Sequence, residues 1–176
     1  MIQIRQARVD DYSYIQNCNL HNLPENYQQK YFLYHALSWP QLTHVAETPA
    51  GEIVGYVLAK LEDEDKAAPK DPKATTNLDS DSAANSAEQD SLRHGHITSI
   101  SVMRKYRRLG LAKRLMIQSQ QAMKAVYKAH KVSLHVRVSN KAAINLYTKK
   151  LSFTVDHTEE KYYADGEDAF AMNLIL

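Results

Sequence analysis

The 176-residue sequence predicts an α/β (α+β) fold, one mixed sheet with helices on its faces. Three observations predict it. Short segments of period-two alternation and longer segments of helical period succeed one another along the chain. Their order reads β-α-α-β-β, a break, then β-α-β-α-β-β. Hydrophobic residues make up 44% and charged residues 24%, the balance of a chain that buries one core.

The elements follow in order. "IQIRQA" (2–7) alternates and is expected as a strand. Asp10 or Asp11 is placed to cap a short helix running to Asn19. After "LPENY" (23–27), "QQKYFLYHALSW" (28–39) is a strongly apolar helix ended by Pro40. "THVAE" (43–47), the turn "TPAGE" (48–52) and "IVGYVLAKL" (53–61) read as a hairpin. "HITSISV" (96–102) is a strand and 110–129 a long helix. "VSLHVRV" (132–138) is another strand. "NKAAINLYTKKL" (140–151) is a helix with Asn140 at its start. "FTVDHTEEKYY" (153–163), the turn "ADGED" (164–168) and "AFAMNLIL" (169–176) form a final hairpin.

The break is compositional. Residues 62–94 hold nine acids and four bases, no aromatic residue, and much Asp, Ser, Ala and Lys. Such a segment cannot bury enough apolar surface to offset its chain entropy, so it is expected as a disordered acidic insertion within one domain, 1–176. The rest of the chain then carries 11 acids and 18 bases, a formal +7. A basic body suits an anionic ligand or a ribosomal surface. No apolar run has the length of a membrane span, and the polar start does not read as a signal peptide. The single Cys18 excludes an internal disulfide framework and a multi-cysteine zinc site, so a reducing, cytoplasmic location is expected and no metal. The basic surface lacks the aromatic interleaving of a nucleic-acid motif, so direct sequence-specific nucleic-acid binding is not expected.

"RRLGLAKRLM" (107–116) carries the chemistry. A strand, a short basic loop and a glycine opening a helix make a phosphate-binding arrangement, because the first helical turn leaves backbone N–H groups without partners. Gly110 has no side chain to keep an anion away. Arg107, Arg108 and Lys113 add charge, and Ala112 keeps the next turn slim. The spacing matches neither the Walker loop nor the dinucleotide fingerprint. On spacing alone, an ordinary basic helix start with a glycine cap explains the stretch equally well.

R-x-x-G-x-A at residues 107–112, directly after "ITSISV", resembles the acetyl-CoA pyrophosphate loop of the GCN5-related N-acetyltransferases. "SNKAAINLYTKKLSF" resembles the asparagine-plus-tyrosine helix of that superfamily. "NLHNLPENYQQKYFLYHALSWP", "GHITSISVMRKYRRLGLAKRLM", "VSLHVRVSNKAAINLY" and "KYYADGEDAFAM" resemble the catalytic subunits of NatA-type N-terminal acetyltransferases. The match covers nearly the whole chain outside 62–94. It implies the GNAT fold, with a mostly antiparallel central sheet. It also implies acetyl transfer from acetyl-CoA, the co-substrate, to the α-amine of nascent protein N-termini.

The same resemblance assigns residues. The amides of Arg108, Leu109, Gly110, Leu111, Ala112 and Lys113 would hold the pyrophosphate, with Arg107 beside them. Ile100, Ser101 and Val102 would pair with the pantetheine arm as a neighbouring strand, and Asn140 would bond that arm. The Val102 amide would polarise the thioester carbonyl. Tyr147 is the candidate acid for the departing thiolate, and Glu25 the candidate that orients or deprotonates the amine, directly or through water. Leu23 would pack the first side chain; Tyr27, Tyr162 and Tyr163 would line the substrate entrance, with Arg137 supporting it. Glu25 as a helix cap, Tyr147 as core and Arg137 as a structural ion pair are the plainer alternatives. The implied partner is a large helical-repeat auxiliary subunit, with the ribosome reached through it and the apolar 28–39 helix a docking face. Substrates in that complex would begin with Ser, Ala, Thr, Gly, Val or Cys, and with acidic residues for the subunit alone. A lysine side-chain acetyltransferase and a non-catalytic acetyl-CoA-binding subunit remain open as other readings.

Overall fold

The computed structural model describes residues 1–63 and 93–176. Among these, seven strands form one sheet: β1 (Gln3–Gln6), β2 (His44–Glu47), β3 (Ile53–Asp63), β4 (Arg93–Val102), β5 (Lys131–Arg137), β6 (Thr154–Glu159) and β7 (Ala169–Ile175). Four α-helices accompany them: α1 (Tyr12–Asn22), α2 (Gln29–Ser38), α3 (Leu111–Tyr127) and α4 (Lys141–Leu151). The sheet order is β1-β2-β3-β4-β5-β7-β6. Every neighbouring pair is antiparallel except β4 and β5. The predicted element order holds throughout.

α1 and α2 cover one face of the sheet through Tyr12, Ile15, Cys18 and Phe32, which pack on Val45, Ile53, Tyr56 and Leu58. α3 and α4 cover the other face. α3 buries Leu111, Leu115, Met116, Ser119 and Met123, one stripe at helical spacing. The backbone of β4 runs so close to this helix that a side chain at Gly95 would collide with Met123, which explains a glycine inside a strand. α4 begins as expected, with the Asn140 side chain accepting the Ala143 N–H at 3.2 Å.

Two expectations need correcting. Asp11 precedes α1 but its carboxylate makes no cap bond to that helix. It accepts the Arg8 amide at 2.7 Å and the Arg5 guanidinium at 2.6 Å, and Arg5 also reaches Glu47 at 2.6 Å. The helix then runs to Asn22, three residues beyond the expected end. The boundaries of the acidic segment also move inward. Glu62, Asp63, Arg93 and His94 belong to β3 and β4, and Glu62↔His94 and Asp63↔Arg93 are facing positions of one ladder. Composition placed them in the insertion, but charged residues on a half-covered strand pair across it: His94 Nε2 lies 3.2 Å from Glu62. The remaining expectation of disorder falls outside the described residues.

The sheet comes apart in one place. Parallel pairing of β4 with β5 ends at Ile97↔Leu134, while β4 continues along β3 to Val102. A bulge at Leu58/Ala59 shifts the β3–β4 register at the same level. From there β4 and β5 diverge, and β4 presents an open edge. The Met103 N–H donates to Val54 at 2.8 Å, so antiparallel alternation turns the backbone groups of Ile100 and Val102 toward that edge.

Candidate active site

Two cavities meet at the split. The first, about 530 Å³, is lined by Ile100, Ser101 and Val102 of β4, by the loop residues Arg107, Arg108, Gly110, Leu111, Ala112 and Lys113, and by Asn140 and Tyr147 of the α4 region. The second, about 270 Å³, lies between the α1–α2 loop, β4, β5 and the β6–β7 loop. Leu23, Glu25, Tyr27, Arg137, Tyr162 and Tyr163 all line it. Asn22, Leu23, Ile100, Asn140, Ala143 and Tyr147 stand in the walls of both.

The wall of the larger cavity is built from backbone. Arg108 and Gly110 both have positive φ, 66° and 75°. Left-handed residues before a helix turn successive N–H groups inward, forming an anion-binding nest, and the first-turn amides of α3 extend it. Gly110 is required by that φ, and the space a side chain would take is open. Leu109 is in the loop, but it is 60% exposed and does not line the cavity. The Arg107 guanidinium is turned to the strand end: its Nε donates to the Val102 carbonyl at 2.9 Å and its Nη2 to Asn22 Oδ1 at 3.0 Å. This arginine closes the loop onto β4 and α1, and the outward-facing Val102 carbonyl is thereby satisfied. The positive charge over the nest comes from Arg108 and Lys113.

Arg137 is the hub of the smaller cavity. Its Nη2 and Nε donate to Glu25 Oε1 at 2.5 and 3.2 Å, and its Nη1 to Asp165 at 2.7 Å and Glu167 at 2.6 Å. The guanidinium lies 4.1 Å from the centre of the Tyr163 ring. One β5 side chain thus joins the α1–α2 loop to the β6–β7 loop. Glu25 does not cap α2, which starts at Gln29 after Gln28. Tyr27 stacks on Tyr31 at 4.6 Å, and Tyr162 on His135 at 4.4 Å. Burial pushes the Tyr27 phenol up to about 12 and that of Tyr163 further in the same direction.

Tyr147 joins the two spaces. It is 6% exposed, packs 5.9 Å from Phe153, and burial pushes its phenol up to about 12. It is therefore a neutral O–H donor at physiological pH.

Several wall residues went unassigned in the sequence. His96, Thr98 and His135 line the smaller cavity, and Asp165 and Glu167 hold Arg137. A signal existed for the first three: in "HGHITS" and "SLHVR", residues two apart share a strand face, so His96 accompanies Thr98 and His135 accompanies Arg137. Among the described residues, no group of three or more His, Cys, Asp or Glu side chains is arranged to hold a metal ion.

A split sheet with an anion-binding nest on one side and a tyrosine-lined cavity on the other defines a class, that of the acetyltransferase (GNAT) family, whose model matches residues 3–153. The N-terminal acetyltransferase A complex catalytic subunit ard1 of Schizosaccharomyces pombe is 57% identical over 172 residues, 98% of this chain and 84% of that protein. The N-terminal acetyltransferase A complex catalytic subunit NAA10 of Arabidopsis thaliana is 52% identical, covering 98% of this chain and 77% of its own. The crystal structure of Chaetomium thermophilum Naa20 in complex with a bisubstrate analogue superposes with a TM-score of 0.75 at 29% identity, covering 99% of this chain and 86% of that one. The chain belongs to the acetyltransferase (GNAT) family, among the catalytic subunits of the N-terminal acetyltransferase A type.

Proposed function

We propose that the two cavities hold the two substrates of an Nα-acetyltransferase, acetyl-CoA in the larger and a protein N-terminus in the smaller. The observation that carries this is the position of Tyr147, in the wall of both. The nest fits a pyrophosphate: its donors are amides, its glycine leaves room, and Arg108 and Lys113 supply countercharge. Bound acetyl-CoA supplies an activated acyl carbon. Ile100 and the Val102 N–H offer the arm of such a ligand backbone groups on the open edge, and Asn140 stands at its side. The Val102 N–H on that edge is the donor for the reacting carbonyl oxygen.

An α-amine has a pKa near 7.7–8.0, so much of it arrives protonated at neutral pH. Glu25 holds the ammonium with its carboxylate, and Arg137 fixes that carboxylate through Oε1. The proton leaves through Glu25 or a water beside it. Tyr147, neutral by burial, returns a proton to the departing thiolate. Leu23 packs the first side chain, and Tyr27, Tyr162 and Tyr163 hold the peptide behind it.

The relatives named as catalytic subunits of a complex support an auxiliary partner, here of the large helical-repeat type and ribosome-docked, acting on nascent chains in the cytoplasm. Leu33, Tyr34 and Leu37 of α2 are exposed and form its docking face. The substrates in that complex begin with Ser, Ala, Thr, Gly, Val or Cys, and acidic first residues serve the subunit alone. The test is acetylation of Ser-, Glu- and internal-Lys-containing peptides by the chain with and without the auxiliary subunit. α-Amine products with a switch from Glu to Ser on complex formation support the reading; lysine side-chain products would replace it. Leu37→Asp should leave the fold intact and abolish co-purification with the auxiliary subunit.

A further inference from the structure

The loop between α1 and α2 has no backbone ladder of its own. Residues 24–27 form neither helix nor strand, and no backbone-to-backbone hydrogen bond among the described residues reaches them. Glu25 and Tyr27 nevertheless stand in the wall of the smaller cavity, where a fixed position matters. Arg137 holds only the carboxylate of Glu25. The backbone behind it is held from the other side, by α1.

Two carboxamides of that helix reach the loop. Gln16 Nε2 donates to the Tyr27 carbonyl at 3.2 Å, and Asn19 Nδ2 to the Glu25 carbonyl at 3.1 Å. The donors are three residues apart and so share one helix face. Helix and loop run in opposite directions, and the two bonds are successive rungs between them. Asn19 is fully buried, and its Nδ2 also donates to the Tyr56 hydroxyl at 3.1 Å, itself 2.7 Å from Ser99 Oγ on β4. A carbonyl as partner leaves one way to seat this amide, with nitrogen toward Glu25. Asn19 Oδ1 is buried with no partner among the described residues, so the side chain works by donation alone. Tyr56 accepts from Asn19 and donates to Ser99; burial raises its phenol well above the usual range and keeps that hydrogen in place. None of Gln16, Asn19 and Tyr56 lines either cavity.

We propose that Gln16 and Asn19 are positioning residues for acetyl transfer: their carboxamides clamp the loop backbone at Tyr27 and Glu25 and so set where both side chains enter the smaller cavity, with Tyr56 anchoring Asn19 to the sheet. The assignment rests on the Nα-acetyltransferase reading, which gives Glu25 the amine and Tyr27 the peptide. Without the clamp, Glu25 stays tethered to Arg137 while the backbone that carries it shifts. A displacement of about 1 Å at a reacting centre can cost about a hundredfold in rate.

The experiment uses the full chain, alone and with the auxiliary subunit, and peptides beginning with Glu or Ser; the pairing that the wild type turns over best is the reference. Gln16 is half-buried, so Gln16→Met keeps the bulk and removes the donor, whereas Gln16→Lys keeps a donor. Peptide kcat/KM should fall by about tenfold or more in Gln16→Met, and fall in Tyr56→Phe as well. Gln16→Lys should recover most of the loss, and calorimetry should give an unchanged acetyl-CoA Kd in all three. In a Glu25→Gln background the loss from Gln16→Met should shrink below about threefold, which a general loss of stability would not produce. Should Tyr56→Phe fail to fold by circular dichroism, the Gln16 variants carry the test. Wild-type kcat/KM in Gln16→Met, a loss that Gln16→Lys does not recover, or a loss that multiplies fully with Glu25→Gln overturns the clamp alone, because the wild type still acetylates α-amines. A wild type that acetylates neither peptide in either form overturns the Nα-acetyltransferase reading and the clamp with it.

Discussion

At the scale of single residues, the site turns on two pairings, of which only one is a bond. Tyr147 works by lacking a charge. Its ring packs in the apolar interior and the residue stands in the wall of both cavities, so Tyr147→Phe should keep the fold and lose the proton donor. Turnover should fall by about 10²–10⁴, with acetyl-CoA affinity nearly unchanged. The donor's high pKa also has a kinetic signature: no loss of kcat should be traceable to this phenol below about pH 11. A Phe variant with wild-type kcat would assign Tyr147 to packing. Glu25 and Arg137 work as one unit. Glu25→Gln weakens the carboxylate's hold on the amine, and Arg137→Lys loses the forked geometry along with the stacking on Tyr163. Measured in a double-mutant cycle on kcat/KM, the two should be non-additive by roughly 1–3 kcal/mol. Simple additivity would separate the ion pair from catalysis.

At the scale of elements, the strand-turn-helix at 96–127 does the cofactor-side work, and its legibility was uneven. Gly110 and the helix behind it could be read from spacing, because a glycine before an amphipathic stripe has few other uses. The positive φ of Arg108 could not: nothing in an arginine announces a left-handed backbone. The nest consequently needs both residues, and Gly110 carries two demands. Gly110→Ala should cost about 1–2 kcal/mol of stability through φ alone, since the surrounding space is open, and only weakly affect acetyl-CoA binding. Gly110→Glu adds a carboxylate at the nest, and calorimetry should show acetyl-CoA affinity falling by tenfold or more. Equal affinities for both variants would remove the nest from phosphate binding. The smaller cavity was legible in a different way. Tyr27, Tyr162, Tyr163, Glu25 and Arg137 were named from a family pattern, and all five line one space. What the pattern withheld was the wiring. That Arg137 gathers Glu25, Asp165 and Glu167 depends on bringing together loops more than a hundred residues apart. Likewise, His96 and His135 reveal their shared wall only once β4 and β5 are placed in parallel.

At the scale of the whole molecule, two buried histidines and a half-buried one set an acid limit on folding. His35, His44 and His96 all have imidazoles pushed down by burial, His96 to about 4. Unfolding exposes them to water, where they bind protons near pH 6.5. Between about pH 4 and 6.5 the unfolded chain therefore holds more protons than the folded one, and stability rises with pH across that window. Thermal melts should show Tm dropping steadily from pH 7 to pH 5, with His96→Gln flattening part of the slope. Asp11, Glu47 and Glu167 shift the other way through their hydrogen bonds, so their loss is felt only below the histidine range. A flat Tm from pH 7 to pH 4.5 would mean that the histidines are wet.

The facing positions of Asp63 and Arg93 have a use beyond stability. The chain leaves β3 and returns in β4 across a single rung, so the sheet asks only that whatever connects them begin and end side by side. A two-residue hairpin turn meets that condition. So does any guest domain whose own termini are adjacent, because lengthening a flexible connection costs only about 0.6 kcal/mol per doubling. A fluorescent protein or affinity module grafted there would sit at the end of the β3–β4 ladder, at the opposite end of β4 from the glycine loop. It would allow the enzyme to be followed or immobilised without a fusion at either terminus.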